Sequence, residues 1–335
     1  MREIKIDRRE AGQRFDKYLK KYLSQAGSGF IYKMLRKKNI TLNGSKASGN
    51  EILSEGDVVK MFFSEETFEK YTGASEDKNR KVHDGLSINV LEGGDCRTIV
   101  CGRYRVGILY EDSDVIFFNK PAGLLSQGDG KGDVSLVDIL EAYINKYDSN
   151  HKGPSGYRPG ICNRLDRNTS GVVAAGKSVR GLQELSEIIK HRNVTKLYVC
   201  LVEGKVTEGK HLKGYLTKDA DKNKVTLSAY GSENSSYVET IYRPLKSNGK
   251  VTMLEVELVT GKTHQIRAHM ASEGHPIVGD KKYGSVVKSA NGFQMLHANK
   301  MVFGETDGVL KELAGRIIEA AVPEEYNRLL GISNE

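Results

Sequence analysis

An α+β fold is what this sequence of 335 residues predicts, with a small basic unit ahead of a larger domain built on a mixed, largely antiparallel sheet. Three observations predict it. From about Val106 onward, strand-like runs alternate with amphipathic helical runs. In "MLEVELV", Leu254, Val256 and Leu258 alternate with Glu255 and Glu257, the pattern of a sheet with one face in water, so neighbouring strands can be antiparallel. The charge is also lopsided: residues 1–63 carry 14 Lys/Arg against 7 Asp/Glu, nearly all of the net charge of +8. The expected division is a unit over 1–63, a linker over 64–105 and a large domain over 106–330.

Each element follows from its local pattern. "RFDKYLKKYLS" sets Phe15, Leu19 and Tyr22 at helical spacing, with Asp16, Lys17, Lys20 and Lys21 off that face. Ser28 is the expected N-cap of a second helix, "GFIYKMLRKKN". Its Ile31, Met34 and Leu35 face inward; Lys33, Arg36, Lys37 and Lys38 do not. Ile40 and Leu42 alternate in "ITLNGSKA", where Asn43-Gly44 suits a tight hairpin turn, and "GDVVKMFF" closes the unit with a strand. Two short helices, the second basic, followed by a hairpin resemble the S4 RNA-binding domain. The resemblance implies that Lys33, Arg36 and Lys37 hold RNA phosphates, which positions a nucleic acid and reads little of its sequence. The competing reading is a solvated charged face.

Residues 64–105 are polar and lack a sustained period, although "LSINVL" and "TIVCG" read as short strands of unassigned position. Beyond them the strand runs are "VGILYEDSDVIFFNKPAG", "SGVVAAGK", "KLYVCLVEG" and "VTMLEVELVTG". "DVSLVDILEAYINKY" and "SVRGLQELSEIIKH" read as helices, the second with Leu182, Leu185 and Ile189 at core spacing. "AAVPEEYNRLLG" reads as a short helix with Pro323 at its first position and Glu324 and Glu325 in its first turn.

Composition narrows the function. Apolar residues make up 38%, sufficient for a real core, and no apolar run approaches the roughly 18–20 residues that span a bilayer. The charged start "MREIKIDRRE" lacks the apolar stretch of a signal peptide, so a cytoplasmic protein with no membrane partner is expected. Cys96, Cys101, Cys162 and Cys200 show no CxxC pairing, and His264 and His269, five residues apart, do not share a helical face. Reduced thiols and no metal site are expected. "GDGKGD" at 128–133 lacks the Walker A spacing and reads as a flexible loop. Nothing demands an oligomer, and a monomer is expected. The basic N-terminal segment calls for a polyanionic partner.

Three constellations carry chemistry. In "NRLDRNTSG", Asp166 stands between Arg164 and Arg167 on a loop entering a strand. Two nearby guanidinium groups favour the ionised acid. That suits a nucleophile or a carboxylate base, and equally a structural Arg–Asp pair. In "LVTGKTHQIRAHM" a strand ends at Thr260-Gly261, and Thr263 is expected to cap a helix beginning at His264. Arg267, in its first turn, leans toward the helix N-terminus. There it can pair with a carboxylate or an RNA phosphate. In "TKLYVCLVEG", alternation puts Tyr198, Cys200 and Val202 on one strand face. Tyr198 is then a core tyrosine, or an aromatic packed against a base turned out of its stack.

"NRLDRNTSGVVAAGKS" and "LVTGKTHQIRAHM" resemble the central motif and the later arginine motif of the RluA family of pseudouridine synthases. "ILYEDSDVIFFNKPAGLL" is similar to the family's opening strand motif, and "HPIVGDKKYG" and "LHA" fit the same pattern. The resemblance covers most of 106–330, and the S4-like unit in front is carried by members that act on large-subunit ribosomal RNA. It implies a pseudouridine synthase catalytic domain that isomerises uridine in RNA, ribosomal RNA ahead of tRNA, with no cofactor. Asp166 is then the catalytic aspartate, Arg267 the arginine that pairs with it and Tyr198 the tyrosine that contacts the base. Arg164 helps to place or flip the nucleotide, and Arg167 joins it in binding substrate. Asn163 and Ser126-Gln127 depart from residues common in the family, which bears on the RNA handled rather than on the reaction. A glycosidase-type enzyme needs two carboxylates with divided roles, and Asp112, Asp114 and Asp280 have no clear claim as the second. A non-enzymatic RNA-binding factor explains the basic N-terminus but has no use for Asp166 and Tyr198.

Overall fold

The computed structural model describes residues 1–72, 86–93, 96–147, 157–219 and 224–331. The N-terminal elements are β1 (Arg2–Lys5), α1 (Phe15–Tyr22), α2 (Ser28–Arg36), β2 (Ile40–Leu42), β3 (Ser45–Lys46), β4 (Val58–Met61) and α3 (Glu65–Thr72). The strands form a sheet in the order β1-β4-β2-β3. Phe15, Leu19, Ile31 and Leu35 pack with Ile40, Val59 and Met61 in one core. Asn43 and Gly44 both have positive φ, as the tight hairpin turn requires. Two details differ from the sequence reading. Gly27, in extended conformation, is the N-cap of α2, so Ser28 is already helical. Asp16 is buried, because its carboxylate accepts from the Tyr32 hydroxyl at 2.9 Å and from Arg14 Nε at 3.1 Å.

The second body contains β5 (Asn89–Gly93), β6 (Cys96–Cys101), β7 (Tyr104–Glu111), β8 (Val115–Lys120), α4 (Leu136–Tyr147), β9 (Gly160–Ile161), β10 (Ser170–Gly176), α5 (Val179–Lys190) and β11 (Val194–Glu203). It continues through β12 (Lys210–Asp219), β13 (Lys224–Ser228), β14 (Ser235–Ser247), β15 (Val251–Leu258), α6 (Gln265–Ser272), β16 (Leu296–Phe303), β17 (Ile317–Glu319) and α7 (Glu324–Leu330). The strands form one sheet in the order β13-β12-β14-β15-β11-β16-β10-β8-β7-β6-β5, with β9 beside β10 and β17 beside β16. Among the described residues, its strands pair antiparallel except β10 with β16. The mixed, largely antiparallel expectation holds. On one face α4 packs Leu136, Ile139 and Leu140 against Ile116, Phe118 and Val173. On the other, Leu185 of α5 packs with Val115, Phe117 and Val172.

The parallel pair fixes where β10 begins. Gly171 lies opposite Ala298 with φ +112°, and a Cβ on it would meet the Ala298 carbonyl oxygen at 2.1 Å. Only glycine permits that approach. The chain turns into the sheet there, five residues after Asp166.

Where a linker is expected over 64–105, the structure has α3 and the outermost strands β5 and β6. Phe68 is fully buried in the N-terminal core, and Ile88 and Ile99 are buried in the main one. α3 buries only Phe68 and Thr72, too few positions to show a period. Residues 73–85 lie outside the described residues. The N-terminal unit touches the main sheet at the Gly176 end of β10: Val179 N–H donates to Arg9 O at 2.8 Å, and Arg8 Nη2 to Asp114 Oδ2 at 2.6 Å. That end lies roughly 20 Å along the strand from Ser170, at about 3.3 Å per residue. Among the described residues no helix is long and apolar enough to cross a membrane.

Candidate active site

Asp166 sits on the loop between β9 and β10, and the loop is tied down from both sides. Thr169 N–H donates back to Asp166 O at 3.0 Å, closing a turn. Leu165 N–H donates to Ser126 Oγ at 3.0 Å, and that hydroxyl donates to Leu165 O at 2.7 Å. Beneath the loop lies Lys120, 0% exposed. Its ammonium donates to the carbonyls of Pro121, Leu124 and Arg167 at 3.0, 2.8 and 3.1 Å. A buried charge is tolerated only when its donors are satisfied, and three carbonyls do this here. Burial still lowers the Lys120 pKa to about 7, with the Asp166 charge pulling the other way.

Arg267, in the first turn of α6, reaches across to this loop. Its Nη1 donates to Asp166 Oδ2 at 2.9 Å. Its Nε and Nη2 grip both oxygens of Asp280 at 2.6 and 2.8 Å. The result is a carboxylate–guanidinium–carboxylate chain, with side-chain exposure rising from 1% at Asp280 through 8% at Arg267 to 26% at Asp166. Bidentate pairing fixes the plane of the guanidinium as well as its position. Burial opposes the Arg267 charge, and the two carboxylates more than offset it, so its pKa is raised. Asp166 is the open end of the chain, and its Oδ1 accepts no hydrogen bond among the described residues.

Tyr283 and His264 complete the wall. The Tyr283 ring lies 5.0 Å from the Arg267 guanidinium carbon, and its hydroxyl is 3.1 Å from His264 Nδ1. His264 Nε2 stands 3.7 Å from Asp166 Oδ2. Burial lowers the His264 pKa despite that carboxylate, which keeps the imidazole neutral at neutral pH. His264, not Thr263, is the N-cap of α6, and it adopts the left-handed conformation with φ 57°. The cause is Gln265: its amide oxygen takes the Thr260 hydroxyl and the Lys262 N–H, so the chain wraps around Gln265 and leaves Thr263 exposed. At the C-terminal helix the shift is similar, with Pro323 as N-cap rather than first helical residue.

Tyr198 lies on β11 between Val256 and Ala298, beside a register shift after Leu197. Such irregularities re-aim side chains next to sites. The ring is 7% exposed and packs in the cluster that includes Leu165, Ile266 and Val256. Burial and then the Asp166 charge raise its pKa, so the phenol stays protonated. It presents a hydrophobic ring and a protonated hydroxyl.

The other expected residues are not brought to this point. Arg167 turns outward to Asp133 and Asp129 at 2.7 and 3.3 Å. Those acids belong to the Gly-rich 128–133 loop. Arg164 is exposed and makes no ion pair among the described residues. Neither neighbour in sequence therefore supplies the guanidinium held against Asp166; Arg267, 101 residues away, does so. Lys33, Arg36 and Lys37 are exposed on and just after α2. Asp280, discounted as a partner for Asp166, is the partner of Arg267 instead. Sequence reasoning missed Lys120, His264 and Tyr283 as neighbours of Asp166. The signals were present: Lys120 ends a strand whose other inward residues are apolar, and Asp280 and Tyr283 lie in one short motif.

The chain is similar in sequence and fold to known proteins. A sequence family described as RNA pseudouridylate synthase matches residues 114–272. The ribosomal large subunit pseudouridine synthase C of Rickettsia typhi is 30% identical over 95% of this chain and 96% of its own. The ribosomal large subunit pseudouridine synthase D of Borreliella burgdorferi is 34% identical over 58% of this chain and 60% of its own. Among solved structures, human RNA pseudouridylate synthase domain containing 4 superposes with a TM-score of 0.54 at 21% identity, covering 68% of this chain and 94% of that one. That likeness bears on the fold.

Proposed function

We propose, from the premise that this chain belongs to the RluA family of RNA pseudouridine synthases, that it modifies uridines of large-subunit ribosomal RNA and that Asp166 carries the reaction. The enzyme is an isomerase. The N1–C1′ bond of uridine breaks, the uracil turns, and C5 bonds to C1′; the proton leaves C5 and N1 gains one. The single observation that carries the site reading is the Asp280–Arg267–Asp166 chain, buried at one end and open at the other. Arg267 holds one oxygen of Asp166 and leaves Oδ1 free to attack the sugar or the base, or to take a sugar proton. Tyr198 and its apolar neighbours offer a surface for the flipped uracil and exclude water that would hydrolyse a cleaved intermediate. Extruding the base costs a few kcal/mol, and Arg164, exposed two residues before Asp166, is available to a phosphate.

Ribosomal RNA as the substrate is supported by the relatives' names and by the exposed Lys33, Arg36 and Lys37 of an S4-like unit over residues 1–63. On this reading the protein acts in the cytoplasm as a monomer. The test is tritium release from uridine labelled at C5, in ribosomal RNA transcribed without modification and separately in tRNA. Release from ribosomal RNA, with pseudouridine in the digest, is expected. Release from tRNA alone overturns the substrate assignment.

A further inference from the structure

A groove of about 600 Å³ lies on the sheet face opposite Tyr198, next to the catalytic loop. Its floor runs across five strands. Thr98 of β6 pairs with Gly107 of β7, and Gly107 with Asn119 of β8. Ser170, the first residue of β10, stands opposite His297 of β16 and shares a hydrogen bond of 2.8 Å with its Nδ1. This is the same face of β8 that sends Val115 and Phe117 into the α5 core, so Asn119 continues an apolar row as a polar one. Asn168, two residues beyond Asp166, joins from the loop. Pro121 and Ala122 form an apolar flank, and Tyr326 faces them from α7.

Gly107 is the feature that the fold itself does not explain. Its φ is not in the left-handed region. A Cβ added to it would meet nothing closer than the Cβ of Asn119 at 3.4 Å. Neither backbone strain nor packing demands glycine in this strand. A glycine in a strand interior often marks a bulge or a place where a ligand or another backbone approaches. The irregularity of β7 lies just beyond, between Ile108 and Tyr110. At Gly107 itself the pairing with Asn119 is regular and the face toward the groove is open. Around it, the amides of Asn119 and Asn168 make no hydrogen bonds among the described residues, and Arg105 at the groove's end has no ion-pair partner there. Two acids line the groove: Glu325 is engaged by Ala290 N–H and Asn291 Nδ2, and Glu92 of β5 is exposed.

We propose that this groove receives a second unpaired base of the substrate RNA, flanking the target uridine, with its ring over Gly107 and its edge read by Asn119 and Asn168. This rests on the RNA-modifying reading above. Side-chain amides carry both a donor and an acceptor, which is what base edges require. Single-stranded RNA is read by splaying bases into such sites. The strand would cross from the catalytic side over the Asp166–Ser170 turn, with Arg105 available to a phosphate.

The experiment uses the full chain and an RNA fragment that the wild type modifies, with abasic nucleotides introduced one at a time on both sides of the target. Turnover and Kd are measured together for wild type, Gly107→Leu and Asn119→Ala. Loss of one base-edge contact weakens a complex by roughly tenfold. The expected result is about a tenfold fall in kcat/KM for Gly107→Leu with an unchanged Tm. A similar fall for wild type is expected at one abasic position, and no further fall when the two are combined. Asn119→Ala, which adds no bulk, should show the same non-additivity if Gly107→Leu fails to fold. Wild-type turnover and affinity in Gly107→Leu, or additive losses at every position, would overturn the groove assignment. If tRNA proves to be the substrate, the ribosomal reading fails and the same scan on tRNA still decides the groove.

Discussion

Two arginines in this protein each lie between two carboxylates, and they do different work. Arg167 holds Asp129 and Asp133 on the surface, with the arginine side chain 43% exposed. Arg267 holds Asp166 and Asp280 with its side chain 8% exposed. Water and salt screen the first group, so its geometry is replaceable. Around the second the dielectric is low, and each partner left unpaired is a large penalty. Proximity in sequence gives no guide: Arg167 is bonded to the next peptide after Asp166 yet points away from it. The difference shows that the local electrostatics are set by which guanidinium is sealed, and of the four carboxylates only Asp166 is both held by the sealed arginine and open to solvent.

The largest effect expected is on chemistry. Asp166→Asn keeps the shape and a hydrogen-bond acceptor for Arg267 but removes the charge. Turnover should fall by a factor on the order of 10⁴ or more, the scale seen when a reacting group is removed. Thermal unfolding and RNA affinity should stay near wild type. Retention of a tenth of the activity would show that the open carboxylate is not the reacting group. Asp280→Ala tests the sealed end. It strips Arg267 of its bidentate partner inside the fold, and breaking a buried pair costs about 3–5 kcal/mol. Urea unfolding measures this directly. A loss below about 1 kcal/mol would put Arg267 in the same class as Arg167.

Lys120 sharpens the contrast, because it is sealed without any carboxylate in contact. Its pKa of about 7 lies below the usual lysine value of 10.5. Between those two pH values the unfolded chain binds a proton that the folded chain lacks, so stability rises with pH across that window. Below pH 7 both states are protonated and the burial penalty is fully present. Wild type should therefore gain stability from pH 7 to pH 9 relative to Lys120→Met. A flat difference would mean that three carbonyls hold the ammonium as firmly as a carboxylate would.

Asp166 and Arg267 sit in the motifs that carry the family resemblance, which also assigns Tyr198, and the structure brings the Arg267 guanidinium to 2.9 Å from Asp166. The role of Asp280 was not legible, because it depends on Arg267 projecting from α6 toward a loop thirteen residues later. Lys120 follows Ile116 and Phe118 on the inward face of β8, but the carbonyls that hold it come from the turn after it and from the Asp166 loop. The strands β5 and β6 are visible as short apolar runs but their position is not, since β5 is the sheet edge, where alternation is weak and Leu91 is 50% exposed. Asp16 was assigned to the solvent face by periodicity alone, and Tyr32 from the next helix overrode that. In each case the missing information was a contact from a distant segment, which local pattern does not contain.

Arg167→Ala should give the smallest effect. An exposed ion pair contributes about 0–1 kcal/mol, so the stability loss should lie within that range despite two acids at 2.7 and 3.3 Å. Its backbone carbonyl still accepts from Lys120 and Gly123, so the loop keeps its anchor. If Arg167 exchanges Asp129 and Asp133 for an RNA phosphate on binding, the salt dependence of affinity should flatten by about 0.7–0.9 in log–log slope. Turnover at saturating RNA should hardly change. The slope is the informative quantity, because release of two acids opposes the gain from one phosphate. An unchanged slope would leave Arg167 as a fastening for the 128–133 loop. Loss of turnover comparable to Asp166→Asn would instead show that this arginine reaches the reacting nucleotide, and the contrast with Arg267 would no longer hold.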